Sequence, residues 1–336
     1  MTPPAAPSFP QSTPADCSVY IHIPFCTRKC RYCAFYSITA DRQQQQDYLN
    51  AVRRELEMYR SCPPFSTIFL GGGSPSAIQR DLLYSLLDWI APHAQPGAEM
   101  TVEVNPRQTD AEFFDQIRRR GINRISIGAQ SFNPEELTFL GRIHDVQDII
   151  QCVHDARTAG FDNIGLDLIF AIPGSTLSDW KDSLEEAIAL RPRHISAYSL
   201  TYEGDTPLVR ETAAGRIKPV SDELDRRMYD LTIDTLAAAG FEQYEISNFA
   251  RPSFECRHNL RYWKNRPYIG LGPAAAGWFR GKRTENVPDL QQYIAAIERR
   301  QFAYESEHAP TPEEFACETA VLNLRTRTGI EPVEFQ

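Results

Sequence analysis

The chain has 336 residues, 42% of them hydrophobic, and a formal net charge of −9 at pH 7. This length suits one large domain with a smaller appendage, and no apolar run approaches the length of a membrane span. The acidic balance argues against a nucleic-acid partner held by a broad basic face. Residues 1–16 are rich in Pro and Ser and lack the features of a signal peptide, so we expect a disordered tail on a cytoplasmic protein.

Along the first 200 residues, six short runs of β-forming residues alternate with longer helical patterns. The predicted strands cover residues 18–23, 66–71, 99–104, 124–129, 163–170 and 194–200. The predicted helices, with apolar residues three or four positions apart, cover residues 41–61, 76–91, 109–120, 133–159 in two pieces, and 177–190. Six strand–helix repeats predict an α/β fold whose parallel sheet, covered by outer helices, curls through right-handed connections toward a barrel.

Polar and glycine-rich segments follow the ends of the predicted strands. Three cysteines follow the first strand, and Asp167 lies in the fifth. The second, third and fourth strands end in "GGGSP" (71–75), "EVNP" (103–106) and "GAQSF" (128–132). Because the carboxyl ends of parallel strands share one rim of the sheet, these segments predict a single binding site.

The pattern changes after residue 205. A helix is predicted at 221–239, followed by "CRHNLRYW" (256–263) and the glycine-rich "YIGLGPAAAG" (268–277). Two more helical segments follow, near residues 288–300 and 311–325. We therefore expect a core at residues 17–205 and an α+β extension at residues 206–336 that packs against the open side of the barrel.

Three of the eight cysteines, Cys26, Cys30 and Cys33, lie within eight positions. In a chain without an export signal this spacing indicates a metal site rather than a disulfide framework. A structural zinc site would take four protein ligands in a closed tetrahedron. An iron–sulfur cluster held by three thiolates leaves one iron free for a small molecule, and S-adenosylmethionine (SAM), which can chelate that iron, is the natural candidate.

Cys26-x3-Cys30-x2-Cys33, with Tyr32 before the last cysteine, is the signature of radical SAM enzymes. The segments "YIHIPFC", "GGGSPS", "EVNP", "RISIGAQSF", "LGRIHD" and "LDLIFAIPG" resemble the oxygen-independent coproporphyrinogen III oxidase (HemN) group. Within that group, "CRHNLRYW" resembles the HNxxYW element of the HemW-type haem chaperones. The resemblance covers residues 18 to 325 and implies a partial (β/α)6 barrel of TIM type.

The resemblance implies that Cys26, Cys30 and Cys33 ligate a [4Fe–4S] cluster. The SAM contacts that it implies are Tyr20, Tyr32, Gly72, Gly73, Ser74, Glu103, Gln130, Arg142 and Asp167. Glycine lets the backbone approach a ligand and a strand-end loop offers amide donors, while carboxylates suit the ribose and ammonium of SAM and an arginine fork suits its carboxylate. A core-packing role for Tyr20 and a surface salt bridge for Arg142 remain open.

His258 is the candidate haem ligand, because histidine is a common axial ligand of haem iron and aromatic side chains follow it in the motif. A packing role for "HNLRYW" is the alternative, and Cys256 is the next candidate ligand. Family members often carry a histidine in the stretch that reads "GPAAAGWF" here, and they continue into a small C-terminal module. We therefore expect the extension to lack part of that module.

The resemblance implies a haem chaperone that binds the cluster, SAM and haem and delivers haem to acceptor proteins. The alternatives are oxidative decarboxylation of coproporphyrinogen III by a 5′-deoxyadenosyl radical, or radical SAM chemistry on another substrate. The oxidase branch has a further cysteine two positions after the third, where this chain has Phe35, and this favours a chaperone without oxidase activity. The implied partners are haem, haem acceptors such as membrane respiratory enzymes, and an electron donor to the cluster.

Overall fold

The computed structural model describes residues 16–59 and 62–330, so the predicted tail lies outside the described residues except for Asp16. All six predicted strands are present: β1 (Cys17–Ile23), β2 (Phe65–Gly72), β3 (Ala94–Val104), β4 (Arg124–Gln130), β5 (Ile164–Phe170) and β6 (His194–Ser199). They pair in parallel and in chain order, from β1 with β2 through to β5 with β6. The predicted parallel sheet is confirmed.

Six helices connect and cover these strands: α1 (Arg42–Met58), α2 (Arg80–Ile90), α3 (Ala111–Arg119), α4 (Pro134–Leu140), α5 (Val146–Thr158) and α6 (Leu177–Ala189). Capping boxes fix where three of them begin, since Asp41, Asp145 and Thr176 each accept from the backbone amide three residues later. Gly141, with a φ of 77°, ends α4 in the left-handed conformation. The long helical stretch predicted at 133–159 divides in two for that reason.

The remaining elements form an α+β extension: α7 (Pro207–Ala213), α8 (Asp222–Ala238), β7 (Glu242–Glu245), β8 (Asn248–Ala250), α9 (Arg257–Trp263), β9 (Tyr268–Leu271), β10 (Ala276–Phe279), β11 (Lys282–Asn286), α10 (Leu290–Glu298), β12 (Tyr304–His308) and α11 (Pro312–Asn323). β9 pairs in parallel with β1, whereas β8 pairs antiparallel with β6. The described residues form one open sheet of order β12-β11-β10-β9-β1-β2-β3-β4-β5-β6-β8-β7, and its six central strands make the partial barrel. Among these residues, no helix is both long and apolar enough to cross a bilayer.

Side chains alternate along the central strands between an apolar face and a polar face. In β1, Val19, Ile21 and Ile23 are fully buried in the core beneath the outer helices. The face that points into the barrel carries Ser18, Tyr20, His22, Thr67, Glu99, Thr101, Glu103, Arg124, Ser126, Asp167, His194 and Ser196. TIM barrels usually fill this interior with branched apolar side chains. Here the interior is polar, and part of this face, including Glu103, Arg124 and Asp167, lines a cavity.

A buried carboxylate joins the extension to the barrel. Glu55 on α1 is fully buried and accepts hydrogen bonds from Gly272 N (2.9 Å), Asn286 Nδ2 (2.7 Å) and Tyr293 Oη (2.6 Å). The donors belong to the loop after β9, to β11 and to α10. All three are neutral, and burial raises the pKa of Glu55 to about 7. Glu55 thus ties three parts of the extension to one helix of the core.

Replacing Glu55 with Gln should remove a pH dependence from the stability of the protein. The unfolded chain releases this proton near pH 4.5 and the folded chain near pH 7, so the free energy of unfolding falls as the pH rises between these values. Relative to Glu55→Gln, the wild type should lose on the order of 3 kcal/mol across this window. Urea denaturation from about pH 5 to about pH 7.5 measures the difference, with the exposed Glu57→Gln on the same helix as control. Parallel profiles for the wild type and Glu55→Gln would contradict the raised pKa.

Candidate cofactor site at the strand ends

The carboxyl ends of the central strands meet around one open cavity of about 520 Å³. Most of the residues that the sequence singled out line this cavity: Cys26, Cys30, Tyr32, Cys33, Gly72, Gly73, Ser74, Glu103, Gln130, Arg142 and Asp167. Tyr20 and His258 lie outside its lining. Segments that are far apart in the chain therefore meet at one edge of the sheet, as the order of strands and helices predicted.

The loop that carries the three cysteines is fastened at both ends. Cys26 N donates to Ile38 O at 2.9 Å, which folds the loop back on itself. Arg31, between the second and third cysteines, donates to Phe139 O at 3.1 Å and holds its guanidinium 5.0 Å from the centre of the Phe139 ring. The same guanidinium forms an ion pair with Glu211. These contacts fix the loop to α4 and to α7.

The three thiols are partly buried and face the same cavity. Burial raises the pKa of the Cys26 and Cys33 thiols, and Arg142 Nη1 donates a hydrogen bond to Cys30 Sγ at 3.3 Å. Among the described residues, no three His, Cys, Asp or Glu side chains form a group that could hold a single metal ion. Thiols spread around an open space suit a multinuclear iron–sulfur cluster, which proteins hold through cysteine thiolates. Three cysteines that line one cavity therefore fit such a cluster.

The "GGGSP" segment packs against the cysteine loop through its backbone. Gly73 N donates to Ile23 O and Ser74 N donates to Phe25 O, both at 2.8 Å. A Cβ atom on Gly73 would lie 2.8 Å from both of these carbonyl oxygens, so this close approach requires glycine. Both amides are therefore used within the fold.

Two carboxylates, Glu103 at the end of β3 and Asp167 on β5, face the cavity. Glu103 accepts from Gly72 N at 3.1 Å, and Asp167 accepts from Ser126 Oγ at 2.9 Å. Burial and the nearby charge of Asp167 raise the pKa of Glu103 to about 7, and burial raises the pKa of Asp167 as well. A cationic group of a ligand would relieve the repulsion between these two carboxylates, so this part of the cavity is suited to positive charge.

Gln130 and Arg142 are aimed at the cavity by local geometry. The register between β4 and β5 shifts where Gln130 pairs with Leu168, and Gln130 has a φ of 70°. A Cβ atom on Gly128 would lie 2.9 Å from Gln130 Nε2, so the side chain folds back over that glycine. Arg142 Nη2 donates to Gly128 O at 3.0 Å and to Asn105 Oδ1. Arg142 therefore makes its contacts inside the site rather than in the surface salt bridge that the sequence left open.

Tyr20 lies in the barrel interior beside β2. Its hydroxyl donates to His22 Nδ1 at 3.1 Å, because His22 Nε2 is the nitrogen that donates to Tyr36 O. Its ring packs against Phe69, with 6.2 Å between the ring centres. These contacts match the packing role that the sequence left open for Tyr20.

His258 is 1% exposed, and both of its ring nitrogens are hydrogen-bonded. Nδ1 lies 2.6 Å from Thr67 Oγ1, and Nε2 lies 2.8 Å from Tyr262 Oη. The ring also stacks on Phe69, with 5.0 Å between the ring centres. The sequence predicted aromatic neighbours for this histidine, but in the fold it is enclosed by them.

The hydrogen-bond chain around His258 defines its tautomer. Thr67 Oγ1 donates its proton to Ser18 Oγ at 2.8 Å, so it accepts from His258 Nδ1–H. Nε2 is then the acceptor for the Tyr262 hydroxyl. Burial and nearby arginines lower the pKa of His258 to about 3, which keeps the ring neutral. Nε2, the nitrogen whose lone pair could bind iron, is occupied by Tyr262.

Several polar residues of the cavity were missed by sequence reasoning: Asn105, Arg124, Ser126 and Ser196. Asn105, Arg124 and Ser126 lie inside quoted motifs, and Ser196 lies in a predicted strand. Strict alternation along the predicted strands was the signal that would have found Arg124, Ser126 and Ser196. Gln108 accepts from Ser74 Oγ at 2.9 Å and donates to Thr27 Oγ1 at 3.1 Å. The sequence gave no signal for this residue, because it lies after the end of β3, where strand alternation no longer applies.

Residues 20–187 match the family model of the Radical SAM superfamily. The haem chaperone HemW of Bacillus subtilis is 37% identical over 324 residues, covering 95% of this chain and 86% of that protein. The chain belongs to the HemW family. HemW of Escherichia coli is 37% identical over 268 residues, covering 77% of this chain and 69% of that protein. Among solved structures, the radical SAM enzyme coproporphyrinogen III oxidase (HemN) from E. coli matches with a TM-score of 0.81 and 25% identity, covering 94% of this chain and 77% of that one.

The family model covers the part of this HemW-family chain that runs from β1 into α6. The Bacillus relative and the HemN structure match beyond it, through most of the extension. The resemblance to radical SAM proteins and the partial-barrel fold, both predicted from the motifs, are confirmed. This HemW-family chain therefore shares its fold with that oxidase.

We expect His258 to remain in the neutral Nδ1–H tautomer between about pH 5 and about pH 8, because its pKa is about 3 and both nitrogens are engaged. Nitrogen-15 NMR of histidine-labelled, cluster-free protein distinguishes the two tautomers and the imidazolium. His258→Gln assigns the signal, and His154, whose side chain is 70% exposed, serves as internal reference. A shift of the His258 resonances toward the imidazolium in this range would show that the buried arrangement is wrong.

Proposed function

We propose that this protein is a haem chaperone that binds a [4Fe–4S] cluster and SAM in the strand-end cavity, binds haem, and delivers haem to acceptor proteins. The observation that carries the proposal is the convergence of three thiols and two carboxylates on one cavity of a HemW-family fold. The relatives from Bacillus and Escherichia are named haem chaperones. The proposal includes a cytoplasmic location, an electron donor to the cluster, and acceptors such as membrane respiratory enzymes.

Cys26, Cys30 and Cys33 would hold the cluster, which when bound supplies an iron with an open coordination position. Arg31 supports this role, because its contacts with α4 and α7 limit the movement of the loop between the second and third thiols. Arg142 supports it by donating a hydrogen bond to Cys30 Sγ, which fixes the position of that sulfur in the cavity wall.

Polar groups around the cavity would hold SAM. Glu103 and Asp167 would attract its positive charge, and Gly72, Gly73 and Ser74 would form the wall beside its amino-acid end. Gln130 and Arg142 supply neutral and cationic donors for its oxygen atoms. Tyr32 lines the cavity beside the third cysteine and would cover the cofactor from the loop side.

Single replacement of Cys26, Cys30 or Cys33 by Ala should abolish the iron–sulfur absorbance of protein reconstituted without oxygen. In the wild type, SAM should change the EPR spectrum of the reduced cluster. In Glu103→Gln, about tenfold more SAM should be needed for the same change, because the loss of a charged hydrogen bond weakens SAM binding. Cys317→Ala is the control, since Cys317 is exposed on α11, outside the cavity. A full cluster in the cysteine variants, or a wild type that holds zinc alone, would show that the assignment of these cysteines as cluster ligands is wrong.

Haem binding would involve His258, whose two ring nitrogens are both hydrogen-bonded to neighbouring side chains. Iron can bond to Nε2 only after the Tyr262 hydroxyl releases it. Two aromatic side chains on the cavity wall, Phe35 (69% exposed) and Tyr198 (42% exposed), offer apolar surface to a porphyrin. Phe35 stands where the oxidase branch has a further cysteine, so this position supplies packing surface rather than a thiol.

His258→Ala should weaken haem binding and shift the haem absorption band while leaving the cluster intact. Tyr262→Phe should strengthen haem binding by about threefold to tenfold, because it removes the hydrogen bond that competes for Nε2. Absorbance titrations measure both, with His154→Ala as the exposed control. Unchanged affinity and spectrum in His258→Ala would make His258 structural, with Cys256 the next ligand to test. Conversion of coproporphyrinogen III to protoporphyrinogen IX by the reconstituted wild type would favour the oxidase instead.

A further inference from the structure

Arg124 is a buried arginine without a partner. It begins β4 on the face that points into the barrel and is 1% exposed, and its side chain makes no hydrogen bond or ion pair with any residue that the structure describes, which leaves Nε buried without a partner. It lines the cavity beside Asn259, at the end away from the cysteine loop. Burying an unpaired cation is costly, and buried guanidinium groups in proteins normally face an anion or a hydrogen-bond acceptor.

The carboxylates near Arg124 are occupied by other donors. Glu99 accepts from the backbone amides of Arg257 at 3.1 Å and His258 at 3.0 Å. Asp167 accepts from Ser126 Oγ through both of its oxygens. Both carboxylates act on the guanidinium electrostatically without contacting it. Its hydrogen-bonding capacity is therefore directed into the cavity.

Two more buried polar atoms beside Arg124, Thr101 Oγ1 and His194 Nδ1, lack a partner among the described residues. Thr101 pairs with Arg124 in the register between β3 and β4. A Cβ atom on Gly165 would lie 3.4 Å from both Arg124 Nη2 and His194 Nδ1, so these two groups pack closely against the glycine. Thr101 and His194 are outside the lining of the cavity, so the Arg124 guanidinium is the group that can meet the oxygens of an anion there.

We propose that Arg124 binds a carboxylate of a ligand that enters this cavity. The identity of the ligand rests on the proposed function: in a haem chaperone the carboxylate is a propionate of haem. Arg124 lies four residues, about 13 Å, along β4 from Gly128, whose carbonyl marks the level at which Arg142 contacts the cysteine loop. Phe69, in the cavity wall, stacks on His258, so a porphyrin anchored by Arg124 would lie beside the candidate haem ligand.

Protoporphyrin IX and its dimethyl ester test this site, because they share a ring and differ only in their carboxylates. Absorbance titrations compare the wild type, Arg124→Gln, Arg124→Lys and the control Arg119→Gln, whose side chain is 72% exposed on α3. The wild type and Arg119→Gln should bind the diacid about 10- to 100-fold more tightly than the diester, and Arg124→Gln should lose that preference. Arg124→Lys, which keeps the charge, should retain part of it. Circular dichroism checks folding, and the lysine variant decides the test if the glutamine variant does not fold.

An undiminished preference for the diacid in a folded Arg124→Gln, or no preference in the wild type, overturns the propionate assignment. SAM also carries a carboxylate, and a parallel titration with SAM tests whether Arg124 binds that carboxylate instead. If Arg124→Gln loses SAM affinity while the porphyrin preference stays, the carboxylate belongs to SAM and the propionate assignment is wrong. If the preference depends on Arg124 but the wild type transfers no haem to an apo-acceptor, the anion site stands and the proposed function fails.

Discussion

The alternation of side chains along β1–β6 is the constraint on which the rest of the structure depends. One face is apolar and packs beneath the outer helices, where it forms the main core together with the apolar sides of those helices. The other face is polar, and the barrel interior is left open from the cysteine loop down to Arg124. A barrel filled with branched side chains keeps its ligands in the rim loops. Here the same strands that stabilise the fold also build the wall of a deep site.

The rim of that site is positioned by backbone contacts more than by side chains. Gly73 and Ser74 donate to carbonyls of the segment that leads into the cysteine loop, and Arg31 fastens the far part of the loop to α4 and α7. Such contacts fix the thiols relative to the strand ends without occupying the cavity. The thiols and the strand ends are therefore held together by contacts within the fold.

The buried ionisable groups of this protein fall into two kinds, those that join parts of the fold and those that face the cavity. Glu55 is surrounded by three donors from the extension and faces no cavity, so its role is to join two parts of the fold. Glu103 accepts one amide and faces the cavity, and Arg124 faces it with no partner among the described residues. Burial alone does not mark a functional group, since Glu55 and Glu103 have similarly raised pKa values. What distinguishes Glu103 from Glu55 is the hydrogen-bonding capacity that Glu103 keeps toward the cavity.

The sequence by itself determined the six strands, the helices between them, and the meeting of cysteines, glycines and carboxylates at one rim, because these follow from local periodicity and from the chain order of parallel strands. The tertiary structure alone decided that β9 joins β1, since strands of four or five residues carry too little pattern to specify a distant partner. It also decided the bulge that turns Gln130, and the use of the Gly73 and Ser74 amides within the fold. The burial of His258 and the solitary position of Arg124 depend on which side chains arrive opposite them from remote segments. Local sequence does not encode those neighbours.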